Sequence, residues 1–191
     1  MFQDGALFLT KILFELAASA FWLRFYMQWA RVPFQNPFAQ FVVRVTDFAV
    51  RPARRVVPGL FGLDLASLFL FFLAETLMVL ATHWLLGYPF ALAGSQVVPG
   101  FALLVLAAAL RLAVYVAMSL VLIQAVLSWV NPFSPFAAVF HALTRPLLAP
   151  FRRIIPGFGG IDLSPLVVLI LMQLILVAPL AALERTARAM L

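Results

Sequence analysis

LASLFLFFLAETLMVLATHWLL, residues 65–86, holds one carboxylate, Glu75, and one histidine, His83, in an otherwise apolar or hydroxyl-bearing run. A helix needs about 20 such residues to cross a hydrocarbon layer roughly 30 Å thick, so this stretch reads as a membrane span. Three further stretches meet the same requirement, at residues 7–29, 101–130 and 163–183. The third exceeds the needed length and is expected to tilt or to reach into the interface. None shows the strict apolar/polar alternation of a membrane barrel. The chain as a whole agrees: of 191 residues, 65% are hydrophobic and 10% charged, where a soluble domain carries about 25% charged residues. A soluble enzyme is excluded, and 20 phenylalanines exclude a disordered chain. With no cysteine, disulfides, thiolate metal sites and cysteine nucleophiles are excluded too. Ala18-Ser19-Ala20 has the form of a signal-peptide cleavage site, but Asp4 stands in place of a basic leader and Lys11 and Glu15 lie inside the apolar run. The first span is expected to be retained.

The net charge of +6 is placed unevenly. Arg31, Arg44, Arg51, Arg54 and Arg55 lie between the first two spans, and Arg145, Arg152 and Arg153 between the last two, whereas residues 87–100 hold no Lys or Arg. Short arginine-rich loops stay on the cytoplasmic side. Both such loops are therefore expected in the cytoplasm and both termini outside, with Arg185 and Arg188 running against that assignment. The basic charge is accounted for by topology and anionic headgroups, with no nucleic acid contact expected.

The two arginine-rich loops repeat each other. Thr46–Asp64 reads TDFAVRPARRVVPGLFGLD and Thr144–Asp162 reads TRPLLAPFRRIIPGFGGID, so Thr, Arg54/Arg152, Pro58/Pro156 and Asp64/Asp162 all match at an offset of 98. An internal repeat of this length implies two copies of one structural unit: residues 1–93 and residues 94–191, each a helical hairpin with an elaborate loop. Two spans per unit require the same orientation for both copies, a parallel repeat about an axis along the membrane normal. The expected fold is an all-α integral membrane protein with four transmembrane helices and amphipathic interfacial segments in the loops.

The Ser128-Trp129 pair, an Asn/Ser-Pro element, and T-x-P-x-x-x-P-x-R-R-x-x-P-G-x-x-G-x-D-x-S-P over Thr144–Pro165 resemble the YggT family of small bacterial and plastid membrane proteins. The first half departs from it, with Asp47-Phe48 where Arg145-Pro146 stands and Gln28 opposite Ser128. The resemblance implies a multi-pass protein of the bacterial inner membrane linked to osmotic-stress tolerance and potassium uptake. Plastid relatives are linked to haem attachment to cytochrome b6, and other relatives to division or nucleoid distribution.

Four groups of residues carry the functional expectations. Asp64 and Asp162, with Pro58 and Pro156, read as helix-entrance caps, since Asp accepts from the orphan amides at a positive helix end; the sharper alternative is pairing with an arginine of the same loop. Arg54, Arg55, Arg152 and Arg153, bracketed by apolar residues and prolines, read as contacts to anionic headgroups worth about 1 kcal/mol each, or to a membrane partner. The prolines at both ends are expected to hold those segments to about one helical turn or to extended structure. Upstream, Phe136, Phe140 and Leu143, and Phe38, Phe41/Val42 and Val45, fall on one helical face each. Inside the spans, Lys11, Glu15, Arg24, Glu75, Arg111 and Gln173 are costly in lipid and expected to face the bundle; Lys11 can pair with Glu15 at i, i+4, Arg24 with Glu75, and Arg111 with Glu75.

No catalytic motif is present, and His83 and His141 lie a membrane thickness apart, so no metal, haem or other cofactor is expected. The reading is a non-enzymatic inner-membrane protein for stress tolerance or membrane-complex assembly, contacting lipid headgroups, a membrane partner or a second copy of itself. The competing reading is a small ion channel or transport component with a path between the repeats.

Overall fold

The computed structural model describes residues 2–60, 62–90, 94–131, 133–154 and 162–191. Among the described residues every regular element is a helix: α1 (Phe2–Trp29), α2 (Pro37–Ala53), α3 (Leu65–Leu85), α4 (Val97–Val130), α5 (Pro135–Arg152), α6 (Ser164–Ile175) and α7 (Ala181–Ala189). Four helical stretches are long and apolar enough to cross a membrane: α1, α3, α4, and Ser164–Ala189, which joins α6 to α7. The chain is a multi-pass membrane protein by this measure.

The fourth span runs past its expected end at residue 183. Pro179 removes one backbone donor, and the helix absorbs the loss in a π-helical turn, Leu176–Leu180, before continuing as α7. That extension carries Glu184 and Ala187 onto the beginning of α4, where Gly100 is needed. A Cβ there would lie 2.9 Å from Leu191 and 3.1 Å from Met190. Tyr88 secures the same end by donating to the Leu191 carbonyl (3.1 Å).

Helices α1 and α3 run antiparallel: Gln3 donates to the Leu85 carbonyl at one end (2.7 Å), and Gln28 to the Gly62 carbonyl at the other (2.7 Å). Between those ends Trp22 and Phe71 pack with ring centroids 5.1 Å apart, inside a core of Ala18, Phe21, Ala66, Ala74 and Ala109. At its arginine end α1 stops in a Schellman arrangement. Val32 N–H bonds the Met27 carbonyl (3.0 Å), and Arg31 takes the left-handed conformation (φ 54°) usually given to glycine.

The arginine-rich loops are helices, longer than the prolines alone suggest. Asn36 and Ser134, each followed by proline at the first helical position, cap α2 and α5 by accepting from Ala39 N–H (2.7 Å) and Ala137 N–H (3.0 Å). Proline removes a donor but its carbonyl still accepts, so α2 runs through Pro52 and α5 through Pro146 and Pro150. Beyond Arg51 and Pro150 only the last residues of each helix remain, so the arginine pairs themselves stay within about one turn, as expected. Burial of Thr46, Val50, Leu143, Thr144 and Leu148 offsets the lost bonds.

The faces are also redrawn. Val42, Phe140 and Leu143 point inward as expected, but Phe41, Val45 and Phe136 are exposed and Ala39 takes a core position. The buried faces of α2 and α5 meet over Tyr26, Met27 and Leu120, and Tyr26 donates to the Leu143 carbonyl (2.8 Å). Both loop helices are thus fastened to the arginine-bearing end of the bundle.

Candidate functional site

The arginine-bearing end holds a charge network built from three elements. Arg24 on α1, 5% exposed, donates to Asp47 (2.8 Å), Thr46 Oγ1 (2.8 Å) and the Val43 carbonyl (3.2 Å) of α2. Its Nε lies 3.3 Å from Asp64 at the start of α3. Asp64 accepts from Arg54 (2.6 Å) and Ser67 (2.8 Å), and Asp47 pairs with Arg51 (2.7 Å). Asp64 thus pairs with arginine, and its side chain caps no backbone amide of α3; Gly62 (φ 76°) turns the chain toward it. The expected Arg24–Glu75 bridge does not form, because Asp47 and Asp64 reach Arg24 first.

In the second half Arg152 donates to Asp162 (2.7 Å) across the same ten-residue separation. Asp162 does act on the backbone, accepting from Ser164 N–H (2.9 Å). Arg152 also lies 3.3 Å from His141 Nε2. Gln124 occupies the position matching Arg24, and its buried carbonyl oxygen accepts no hydrogen bond. Pro58 is exposed, while Pro156 falls outside the described residues.

The electrostatics follow the geometry. The hydrogen bond from Arg24, reinforced by the charges of Arg24 and Arg51, holds Asp47 below the ordinary carboxylate range despite desolvation. Burial pushes Asp64 up, but the hydrogen bonds of Arg54 and Ser67 and the nearby arginine charges outweigh it, leaving it lowered. Asp162 is lowered by the same opposition, burial against Ser164 and Arg152. Hydrogen bonding to Asp64 raises Arg54. All four groups are charged at neutral pH.

The adjacent arginines therefore part company. Arg54 and Arg152 turn to Asp64 and Asp162, whereas the side chains of Arg55 and Arg153 are exposed and make no hydrogen bond or ion pair with the described residues. Beside them Val56 and Ile154 are 81% and 78% exposed.

A second polar region lies beyond the Trp22–Phe71 layer, open on one side, with Lys11, Glu15 and Tyr115 exposed and Glu75 buried. Lys11 and Glu15 of α1, Glu75 of α3, Arg111 and Tyr115 of α4 and Glu184 of α7 line a cavity of about 220 Å³. Arg111 pairs with Glu184, which corrects the expected Arg111–Glu75 pair. The cause is the extension of the fourth span, which brings in a carboxylate one residue beyond the expected boundary. Glu75 is 1% exposed, and neither of its oxygens accepts a hydrogen bond. Lys11 and Glu15 share the cavity without forming the expected ion pair. Gln173, at the position matching Glu75, is exposed on α6, which corrects the expectation that it faces the bundle.

Sequence reasoning missed Asp47, Thr46, Ser67 and Glu184. Asp47 was legible as a departure of the first half from the second, since an acid opposite Arg145 calls for a cation nearby. Among the described residues no group of three or more His, Cys, Asp or Glu is placed to hold a metal.

The CCB3/YggT family profile matches residues 3–85 and again 103–183. A protein of Vibrio alginolyticus described as "uncharacterized protein in proC 3′ region" is 38% identical over 172 residues, covering 87% of this chain and 88% of that one. The Escherichia coli protein named "uncharacterized protein YggT" is 32% identical over 185 residues, 96% of this chain and 94% of its own length. No solved structure matches. Both matched segments hold the Arg–Asp pair ten residues apart, at Arg54–Asp64 and at Arg152–Asp162, and on the strength of the profile and these relatives the chain belongs to the CCB3/YggT family.

Proposed function

We propose that this is a non-enzymatic protein of the bacterial inner membrane that holds an arginine-bearing face against the cytoplasmic leaflet, supporting osmotic-stress tolerance or membrane-complex assembly. One observation carries the reading: in each half, one arginine of the adjacent pair is tied to an aspartate while its neighbour, Arg55 or Arg153, stays exposed beside an exposed Val56 or Ile154. Such a turn suits the headgroup level, with the aliphatic side chain dipped and the guanidinium on phosphate. Arg54 and Arg152 serve a different purpose from the one their sequence suggests: they hold the turn in place.

The test uses purified protein in neutral detergent. Added phosphatidylglycerol should raise the thermal midpoint more than phosphatidylcholine does. The Arg55→Gln/Arg153→Gln variant should keep the starting midpoint, lose that increment, and fail to restore hyperosmotic growth in a strain lacking the protein. Full retention of both properties would leave the exposed arginines as topological anchors only.

An ion path between the halves is the competing reading, favoured by the charged residues that share one cavity. The packed layer of Ala18, Phe21, Phe71 and Ala74 on its arginine side weighs against a continuous pore.

A further inference from the structure

The two hairpins of the chain meet through a contact that is made only once. In the half of the bundle away from the arginine-bearing loops, Val79 of α3 packs with Phe101 and Leu104 of α4, with Ala108 against them. Ala109 of α4 joins the core between α1 and α3. A two-fold relation between the repeats demands the matching contact of α6 with α1, and no comparable packing joins those two helices. The matching faces are uncovered instead. Val177 stands where the repeat places Val79, and is 63% exposed against 6%; Leu9 stands where it places Ala109, and is 60% exposed against 1%.

Exposed leucine and valine suit lipid, but Gln173 does not. It matches the buried Glu75, is exposed, and makes no hydrogen bond with the described residues. It lies nine residues into the fourth span, Ser164–Ala189, so about 14 Å along the helix and near the middle of the hydrocarbon layer. A polar side chain at that depth is costly, and glutamine there ordinarily bonds across to a neighbouring helix.

We propose that the face of the fourth span bearing Gln173 and Val177 receives α1 of a second copy of this chain, as α3 receives α4 within one chain. A second copy carries the complementary half. Its α1 leaves Phe8 and Leu9 exposed at the positions matching Ala108 and Ala109. Beside them Lys11 and Glu15 are exposed too, at the positions matching Arg111 and Tyr115, which line one cavity with Glu75. Lys11 and Glu15 of the neighbour thus offer Gln173 a donor and an acceptor. All copies cross the membrane in one orientation, so α1 and α6 of neighbours run antiparallel, as α4 and α3 do. The contact is heterologous, with α6 at one edge of each chain and α1 at the other, and copies join head to tail as a ring or a row. It is separate from the headgroup contact proposed above.

Because the chain has no cysteine, disulfide trapping in native membranes reads the contact. Two differently tagged full-length chains, one Phe8→Cys and the other Val177→Cys, are co-expressed and oxidised with copper phenanthroline. A disulfide joining the two tags is expected, with none when either variant is expressed alone. Disulfides from Val177→Cys alone would make the contact symmetric, and no disulfide in the mixed sample would leave the face to lipid; either result overturns the proposal. A chain carrying both cysteines should form a ladder of multimers, and closure only within single chains would overturn it equally. Gln173→Leu, which suits lipid better, should weaken self-association in mild detergent by about threefold or more. If the cysteine variants do not accumulate, light scattering decides: a wild-type multimer that Gln173→Leu weakens supports the interface, and a single chain, or a multimer indifferent to Gln173→Leu, refutes it.

Discussion

Replacing Arg24 by glutamine, the residue at the matching position 124, perturbs the network at its most buried member. Arg24 makes hydrogen bonds to Thr46, Asp47 and the Val43 carbonyl and lies 3.3 Å from Asp64. Removing one partner of a buried ion pair costs about 3–5 kcal/mol. Here both carboxylates retain a second cation, Asp47 through Arg51 at 2.7 Å and Asp64 through Arg54 at 2.6 Å, so the lower end, about 3 kcal/mol, is expected. For a chain of this size that corresponds to a fall of about 6–12 °C in the thermal midpoint, read by circular dichroism in detergent. Combination with Asp47→Asn should give a non-additive loss, with a coupling of about 1 kcal/mol or more. A fall under about 2 °C, or strict additivity with Asp47→Asn, would refute the claim that Arg24 fastens α2 to the spans.

Three further outcomes follow from the same geometry. Arg111→Met should destabilise more than Arg111→Met combined with Glu184→Met, while Arg111→Met combined with Glu75→Met should give no such rescue; chemical denaturation of the three variants decides it. Asp47 and Asp64 are lowered in the folded protein, so their contribution is complete above the unfolded value near 3.9 and is lost as pH falls through the folded values. Amide exchange in α2 should therefore stay slow from pH 7 to about 4 and quicken only below that. Asn36→Ala and Ser134→Ala should each cost about 1 kcal/mol in unfolding experiments, as the loss of a helix cap does.

Much of the fold was legible because lipid imposes a length and a polarity that a sequence must display. The first three spans end within a few residues of where hydropathy placed them, apart from a longer first turn on α1. The fourth was cut short at residue 183 because Glu184 and Arg185 look like the end of an apolar run. The π-helical turn at Pro179 and the pairing of Glu184 with Arg111 are tertiary facts that no window of hydropathy records. The Arg–Asp pairs were legible from their equal spacing in the two loops. The separate fates of Arg54 and Arg55 were not, because adjacent residues of one type differ only in where the backbone aims them. Likewise the two loop helices were legible as amphipathic segments, but their continuation through Pro52, Pro146 and Pro150 was not: a missing donor is visible in sequence, but the packing of Leu143, Thr144 and Leu148 that offsets it is not.

The most direct test of the account is which side of the membrane the arginine-bearing face occupies. The chain has no cysteine, so single Arg55→Cys, Arg153→Cys and Gly94→Cys variants each report alone. Labelled with a membrane-impermeant maleimide, Gly94→Cys should react in intact spheroplasts, and Arg55→Cys and Arg153→Cys only after permeabilisation. Reaction of the two loop positions in intact spheroplasts, with Gly94→Cys protected, would place the face outside the cell and contradict the account.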